Sequence, residues 1–261
     1  MDERVGLTVL GSGSSGNCTL VHIGNEAVMI DAGFSLKEIR RRMESVGLSG
    51  LNVRGILVTH EHDDHVKGLR VCSNHFKAPV FTTAACAETL RQHDQKLGQM
   101  IRITPGGRFQ LAGFTITPFS IPHDARDPVA YVVYHDTVKI GVATDIGYAS
   151  SGVEYELRGC NSLLLESNHD IQMLAASSRP WSLKQRILGR TGHLSNETCA
   201  ELICRIVGAY TRNIILGHVS RECNSEDCVR RKGLEALAAI GRNDIHLEIA
   251  RQDQPVQTIW N

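Results

Sequence analysis

The sequence predicts an α/β protein built from two packed mixed sheets with helices outside. Strand-like segments open the chain, and strand–helix mixtures follow in two halves of similar kind. Several apolar strands end in a lone His or Asp, which places chemistry-bearing side chains at strand ends. No linker, low-complexity segment or internal repeat interrupts the 261 residues, so one domain over residues 1–261 is the economical reading.

The elements read in order. Val5 to Leu10 is a strand, followed by the tight loop Gly11-Ser12-Gly13-Ser14-Ser15-Gly16-Asn17. That loop offers free backbone N–H groups that can approach a phosphate or pack beneath a metal site, or it is a plain hairpin turn. It is not a Walker loop, because no Gly-Lys-Ser/Thr follows. Cys18 to Ile23 and Ala27 to Ile30 are strands joined by Gly24-Asn25, the second ending in Asp31. Ser35 caps a helix running to about Val46, with Glu38 placed for a capping box. Gly55 to Val58 is a buried strand, Val66 to Asn74 a helix, Pro79 to Thr82 a strand and Ala84 to Leu97 a helix. Five strands follow with hairpin breaks: 100–103, 108–111, 114–120, 129–134 and 138–143. Helical patterns return at 151–158, around Pro180 and at 195–207. The segments 162–166, 214–216, 245–249 and 256–259 read as strands, with a helix at 226–240.

Composition excludes several classes. Hydrophobic content of 42% and charged content of 21% fit a globular chain. Formal net charge is zero, so no bulk field favours nucleic acid, although a local basic patch remains open. No apolar run approaches the roughly 18 residues of a membrane span. Met1-Asp2-Glu3-Arg4 leads straight into a strand without a signal peptide's apolar core, and the expected compartment is the cytoplasm. Eight cysteines without a Cys-x-x-Cys pair or dense framework are expected to stay reduced, mostly as small buried hydrophobes. Cys223, close to a candidate ligand, is the one of interest.

The chain centres on Thr59-His60-Glu61-His62-Asp63-Asp64-His65. In an extended strand end, His60 and His62 face one side together. Three imidazoles and a carboxylate within six residues are ligand chemistry for zinc, manganese or iron. Further candidates close strands elsewhere: Asp31, His123, Asp145 and His218.

His-x-His-x-Asp-His followed by a lone His, Asp and His, each at a strand end, resembles the metallo-β-lactamase superfamily. The resemblance runs over essentially the whole chain and implies an αβ/βα sandwich with two divalent metal ions at one edge. It implies that His60, His62 and His123 bind the first metal, that Asp64, His65 and His218 bind the second, and that Asp145 bridges them. Asp31 would orient a ligand rather than bind. Two ions about 3.5–4 Å apart can share a hydroxide and stabilise both oxygens of a phosphoryl or acyl transfer. Asp64 could also act as base. Flavo-diiron relatives carry Glu where this chain has His62, which favours hydrolysis over oxygen reduction.

Gly-Ser-Gly-Ser-Ser-Gly-Asn (11–17), Glu-Ser-Asn-His-Asp (166–170), Gly-His-Leu-Ser-Asn (192–196) and Gly-His-Val-Ser-Arg-Glu-Cys-Asn (217–224) together resemble the YycJ group, also called WalJ or VicX. That group is similar to 5′-to-3′ DNA exonucleases and related to RNase Z and PhnP-type phosphodiesterases. The usual last motif has Leu and Asn where this chain has Val219 and Cys223, leaving His218 and Asn224 in place. Neither a β-CASP insertion nor an RNase Z exosite arm is visible.

His193, in a Gly-His turn before a capped helix, could hold a scissile phosphate or protonate the leaving oxygen; the plainer reading is a cap-region histidine. Ser14, Asn168, His169 and Asn196 are candidate substrate contacts, with a structural turn as the alternative for His169. Arg179, Lys184, Arg186 and Arg190, with Trp181 among them and no acid between, could track a phosphate backbone and stack on a base, or form a solvated face. Arg40-Arg41-Arg42 reads as a solvated helix face. The expected activity is a two-metal phosphodiesterase on nucleic acid, DNA before RNA. The alternatives are a thioester or lactam hydrolase of the same superfamily and a non-catalytic metal-dependent regulatory module. Nothing in the sequence specifies an oligomeric state.

Overall fold

A computed structural model describes residues 4–261; Met1-Asp2-Glu3, part of the reading for a leader, lies outside the described residues. The first half contributes β1 (Val5–Gly11), β2 (Cys18–Ile23), β3 (Glu26–Ile30), α1 (Leu36–Ser45), β4 (Asn52–Leu57), α2 (Asp63–Val66), α3 (Leu69–Phe76), β5 (Val80–Thr83), α4 (Ala84–His93) and β6 (Met100–Ile103). The second contributes β7 (Phe109–Leu111), β8 (Phe114–Ser120), β9 (Val129–His135), β10 (Val138–Ala143), α5 (Ser151–Leu157), β11 (Ser162–Glu166), α6 (Ile171–Ala176), α7 (Trp181–Leu188), α8 (Asn196–Ile206), β12 (Asn213–Gly217), α9 (Glu226–Ala239), β13 (His246–Ile249) and β14 (Ile259–Trp260).

These strands form two seven-stranded mixed sheets, in the orders β14-β1-β2-β3-β4-β5-β6 and β13-β12-β11-β10-β9-β8-β7. Each sheet is apolar on both faces because both are covered. In β3, Val28 and Ile30 enter a core shared with Ile116, Tyr131, Val142 and Ile215 of the opposite sheet. Met29 between them points instead to Ile39 and Met43 of α1. On the other flank, Leu163, Leu165 and Leu216 pack on Leu157, Leu202, Ile203 and Leu237 of α5, α8 and α9. The result is four layers, helix–sheet–sheet–helix. Tyr131 ties the sheets together, its hydroxyl donating to Val58 O at 2.7 Å.

Strand direction decides where function can sit. β3, β4, β5 and β6 run parallel, and β1 is parallel to β3 through the antiparallel β2. In the second sheet β10, β11, β12 and β13 are parallel, and β8 joins them through the antiparallel β9. The register sets Ala143, Leu165 and Leu216 side by side, so their strands end level. The C-terminal ends of β1, β3, β4, β8, β10, β11 and β12 therefore face one edge of the sandwich, where open α/β sheets place their ligands.

Several local expectations change. The helix expected at 66–74 is two helices, and the first starts at Asp63, so Asp64 and His65 lie inside it. The last strand is only Ile259–Trp260, pairing with Gly6 and Leu7; residues 254–258 carry no strand assignment. Ser35 caps α1 by accepting from Glu38 N, but the Glu38 carboxylate turns to Arg41 and Arg42, leaving the capping box incomplete. Arg42 is not solvated. It is buried, and its Nη1 donates to Leu10 O at 2.8 Å and Gln252 O at 2.7 Å, joining the end of β1 to the C-terminal loop. Arg40 and Arg41 are exposed, as expected of the helix face.

Candidate metal centre and groove

Extended backbone at His62 and the immediate start of α2 at Asp63 help bring the four side chains to one spot. The loop after β3 packs directly against α2: Ala32 N donates to His65 O at 2.8 Å, and Gly68 N donates to Ala32 O at 2.8 Å. A Cβ on Gly33 would lie 1.7 Å from Asp64 O, so only glycine permits this approach. The Gly/Ser loop lies beneath. Asn17 N donates to Asp64 O at 2.7 Å, the Asn17 amide reaches His65 Nε2 at 3.0 Å, and Ser12 Oγ accepts from His218 N at 2.9 Å.

Each core imidazole has its Nδ1 engaged away from the centre. His65 Nδ1 faces Asp31 Oδ2 at 2.7 Å, His218 Nδ1 faces Glu166 Oε1 at 3.0 Å, and His123 Nδ1 faces Gly192 O at 3.2 Å. His60 Nδ1 lies 3.0 Å from Thr59 Oγ1, whose hydroxyl donates to Asp31 Oδ2. With the proton on Nδ1, each ring turns an Nε2 lone pair inward, the arrangement of a metal-binding histidine. His60 Nε2 and His62 Nδ1 stand 3.0 Å apart.

Four overlapping donor groups result, among them His60, His62 and His123, and Asp64, His65 and His218. In each, the donor atoms lie within 4.8 Å of one another. Asp145 stands between them. Its Oδ1 is 3.9 Å from His123 Nε2 and 3.5 Å from His218 Nε2, and its Oδ2 is 3.2 Å from His65 Nε2. His123 Nε2, His218 Nε2 and Asp145 Oδ2 are buried without a hydrogen-bond partner among the described residues. Buried polar atoms in that condition are costly unless a ligand completes them. The residues present thus fit divalent metal ions, with imidazole and carboxylate as donors.

The backbone at three of these positions is left-handed: φ is 60° at Asp31, 58° at Asp145 and 53° at His218. Each directly follows or nearly follows its strand. A non-glycine residue held in a sparsely populated backbone region costs of order 1–3 kcal/mol and clusters at functional sites. Here the turn swings each side chain across the strand ends into the centre.

Charge holds the acids ionised. Burial opposes ionisation of Asp145, but His218 and His65 beside it, when protonated on both ring nitrogens, keep its carboxyl well below the usual range. Burial likewise opposes Asp64, and His218 and His65, when they carry a proton on Nε2 as well, reverse the sign. Burial keeps His60 neutral.

Sequence reasoning missed Glu166. It closes β11, is fully buried, and accepts from Ile146 N at 2.7 Å and Leu194 N at 3.2 Å besides facing His193 Nδ1 at 2.8 Å and His218 Nδ1 at 3.0 Å. Burial alone would raise its pKa; His193, with charge and hydrogen bond, and His218 bring it down to about 2. The available signal was the same that singled out Asp145: an acid ending an apolar strand. His193 lines the groove just before the Ser195-capped α8, and Glu166 overcomes burial to raise its pKa.

A groove of 640 Å³ opens over the centre, lined by Ser14, Glu61, Asp64, Asp145, Arg186, His193 and His218 among others. Ser14 and Arg186 therefore lie where expected. Asn168 lines an adjoining cavity, and its amide donates to His218 O at 2.8 Å. Two expected substrate contacts are not placed for that role. His169 is 1% exposed and lines neither cavity. Asn196 is equally buried, locked to Ser167 Oγ and Asn224 because it begins α8 against β11. Arg190 also lines neither cavity and lies over the Tyr148 ring, 4.3 Å from its centroid. The basic stretch, free of acids in sequence, finds them in space: Arg179 pairs with Glu222 and Arg186 with Asp124. Cys223 is buried beside Leu174 and Ile187 and belongs to neither donor group.

The "Beta-lactamase superfamily domain" model matches residues 26–218. The chain belongs to this superfamily. Within it, the chain is 33% identical to "Exodeoxyribonuclease YycJ" of Bacillus anthracis over 90% of its own length and 89% of the relative's. It is 32% identical to "Exodeoxyribonuclease WalJ" of Streptococcus pneumoniae, covering 88% of this chain and 87% of that one. These relatives place it with the YycJ/WalJ group. The fold matches the metallo-β-lactamase fold protein YhfI from Bacillus subtilis at a TM-score of 0.72, with 15% identity over 97% of this chain and 99% of that one. The superfamily fold and the histidine–aspartate centre make this member a metal-dependent hydrolase of the nuclease kind.

Proposed function

We propose that the chain is a two-metal phosphodiesterase that degrades DNA as a 5′-to-3′ exonuclease. The observation that carries this reading is the position of His193. It stands on the groove beside both donor groups, with Nδ1 held at 2.8 Å by a buried carboxylate. In this reading His60, His62 and His123 would hold one ion and Asp64, His65 and His218 the other, with Asp145 available to both. Two divalent ions there would supply an activated water and positive charge for the phosphoryl oxygens.

The chain's own residues do the rest. Asp31 and Glu166 fix the rings of His65 and His218. Asp64, ionised and open to the groove, would help hold an ion and orient the attacking water. His193, kept protonated by Glu166, donates its proton from Nε2 to the leaving oxygen. Ser14 and Arg186 position the phosphate backbone. Zinc, manganese and iron all suit this donor set. Eight cysteines that are all free suit a reducing, cytoplasmic setting, and among the described residues no helix is long and apolar enough to cross a membrane.

Purified protein loaded with zinc, manganese or iron is tested on end-labelled DNA and RNA and on bis(p-nitrophenyl) phosphate. The expected result is faster degradation of DNA than RNA, from the 5′ end. Hydrolysis of a thioester or lactam with no action on any phosphodiester would replace this reading.

A further inference from the structure

On the outer side of the first sheet, α1 and the end of α3 enclose a cavity of 590 Å³ that shares no residue with the groove. Leu36, Met43 and Phe76 form its floor; Leu36 and Phe76 pack on the core beneath but are only partly buried. Lys37, Arg40, Arg41 and His75 stand around them, all exposed. α1 follows β3 and α3 follows α2, so both helices lead away from the edge that carries the metal centre. Ser49 and Phe76, at their far ends, complete the wall.

We propose that this cavity docks an acidic segment of a partner protein, with an apolar side chain seated over Leu36, Met43 and Phe76 and carboxylates paired with Lys37 and Arg40. Such docking tethers the protein without occupying the groove, and it is independent of the phosphodiesterase reading.

Charge selects the partner. The chain as a whole has a formal net charge of zero, yet Glu44 is the one acid among the described residues that line this cavity. The nearby Glu38 carboxylate is already bound by Arg41 and Arg42. Neither the Lys37 nor the Arg40 side chain makes a hydrogen bond or ion pair among the described residues. Arg41 spends Nε and Nη2 on Glu38 and keeps Nη1. The His75 ring stands edge-on to Phe76, with centroids 4.9 Å apart. Cations left without partners around a half-buried apolar floor match carboxylates flanking an apolar anchor.

Shape and position favour a peptide over a nucleic-acid strand. Sites that take a whole small ligand run to roughly 300–1,000 Å³, so 590 Å³ has room for an apolar side chain with its flanking backbone. A phosphate backbone is tracked by cations strung along a groove. Here they surround a floor at the far ends of two helices. The helix that carries the site is also pinned in place: Arg42 donates from within the core to Leu10 O and Gln252 O. A surface held this way is preformed, which lowers the ordering cost of binding.

The test follows fluorescence anisotropy of labelled peptides on the full chain. Asp-Glu-Asp-Leu, Asp-Glu-Asp-Phe and Asp-Glu-Asp-Trp are compared with their Asn-Gln-Asn counterparts and with Asp-Glu-Asp-Ser. At least one acidic–apolar peptide should bind about tenfold or more tighter than its neutral counterpart and than the serine peptide. Lys37→Gln combined with Arg40→Gln should weaken that binding about tenfold. Glu44→Gln, which removes the opposing charge, should strengthen it about two- to threefold. Both changes lie on exposed positions, and circular dichroism checks that the fold is kept. Absence of binding by every acidic peptide, equal affinity across the three classes, or affinity untouched by the double variant overturns the docking site. Labelled single-stranded DNA and sedimentation velocity are run on the same proteins. If the double variant loses DNA affinity without losing peptide affinity, or dissolves a wild-type oligomer, nucleic acid or a second copy is the occupant and the peptide site is overturned.

Discussion

Glu166 Oε1 lies 2.8 Å from His193 Nδ1, and the same oxygen lies 3.0 Å from His218 Nδ1. One buried carboxylate thus orients a candidate metal ligand and the candidate proton donor together. Glu166→Gln keeps the volume and removes the charge. Metal affinity and kcat on bis(p-nitrophenyl) phosphate should each fall about 10–100-fold, the usual effect of losing the partner of a liganding histidine. His193 should also lose the support that raises its pKa. A protonated donor works only below that pKa, so activity declines as pH rises through it, and the alkaline decline should begin at lower pH in the variant. A pH–rate profile with its alkaline limb in place would count against this role.

Asp145→Ala should abolish phosphodiester hydrolysis and reduce bound metal in the purified protein, measured by elemental analysis. The residue touches both donor groups, so its loss should be felt at both sites. Chelation of wild-type protein should lower Tm, and restoring the metal should recover it, because metal bound only by the folded state stabilises it by mass action. Full activity in the Asp145→Ala protein would sink the mechanism.

Arg186 and Arg190 separate under charge reversal. Arg186 lines the groove, whereas Arg190 lies over Tyr148 outside it. Arg186→Glu should weaken DNA binding about tenfold or more and reduce the salt slope by roughly one. Arg190→Glu should change both by less. Binding titrations at several salt concentrations distinguish the two; equal losses would mean the backbone path extends past Tyr148.

His22 predicts an acid weakness apart from the site. Burial lowers its pKa from 6.5 to about 4, and the ring packs between Gly6 and Trp260. The unfolded chain therefore takes up a proton at His22 before the folded one does. Stability is lost as pH falls from 6.5 towards 4, and it is unaffected by this group above 6.5. His22→Gln should flatten that part of the Tm-against-pH curve relative to wild type; identical slopes would assign the acid loss elsewhere.

Sequence by itself determined the layers and the ligand candidates. Apolar runs of strand length with helical periods between them specify two covered sheets, and a His or Asp closing such a run has few structural reasons to be there. Residues 60–65 were legible because local backbone geometry alone converges them. The helix boundary at Asp63, the burial of Arg42 and the pairing of Arg179 with Glu222 and Arg186 with Asp124 were not, since each depends on a partner distant in the chain. His169 and Asn196 read as substrate contacts from their motifs, but β11 and α8 close over them. Only the tertiary structure decided that Glu166 serves two histidines, because parallel register sets the ends of β10, β11 and β12 level while left-handed turns at Asp145 and His218 aim the side chains inward. Hydrophobic period is a local property of the chain, whereas the level of a strand end and the far partner of a charge are fixed only when the sheets pair and pack.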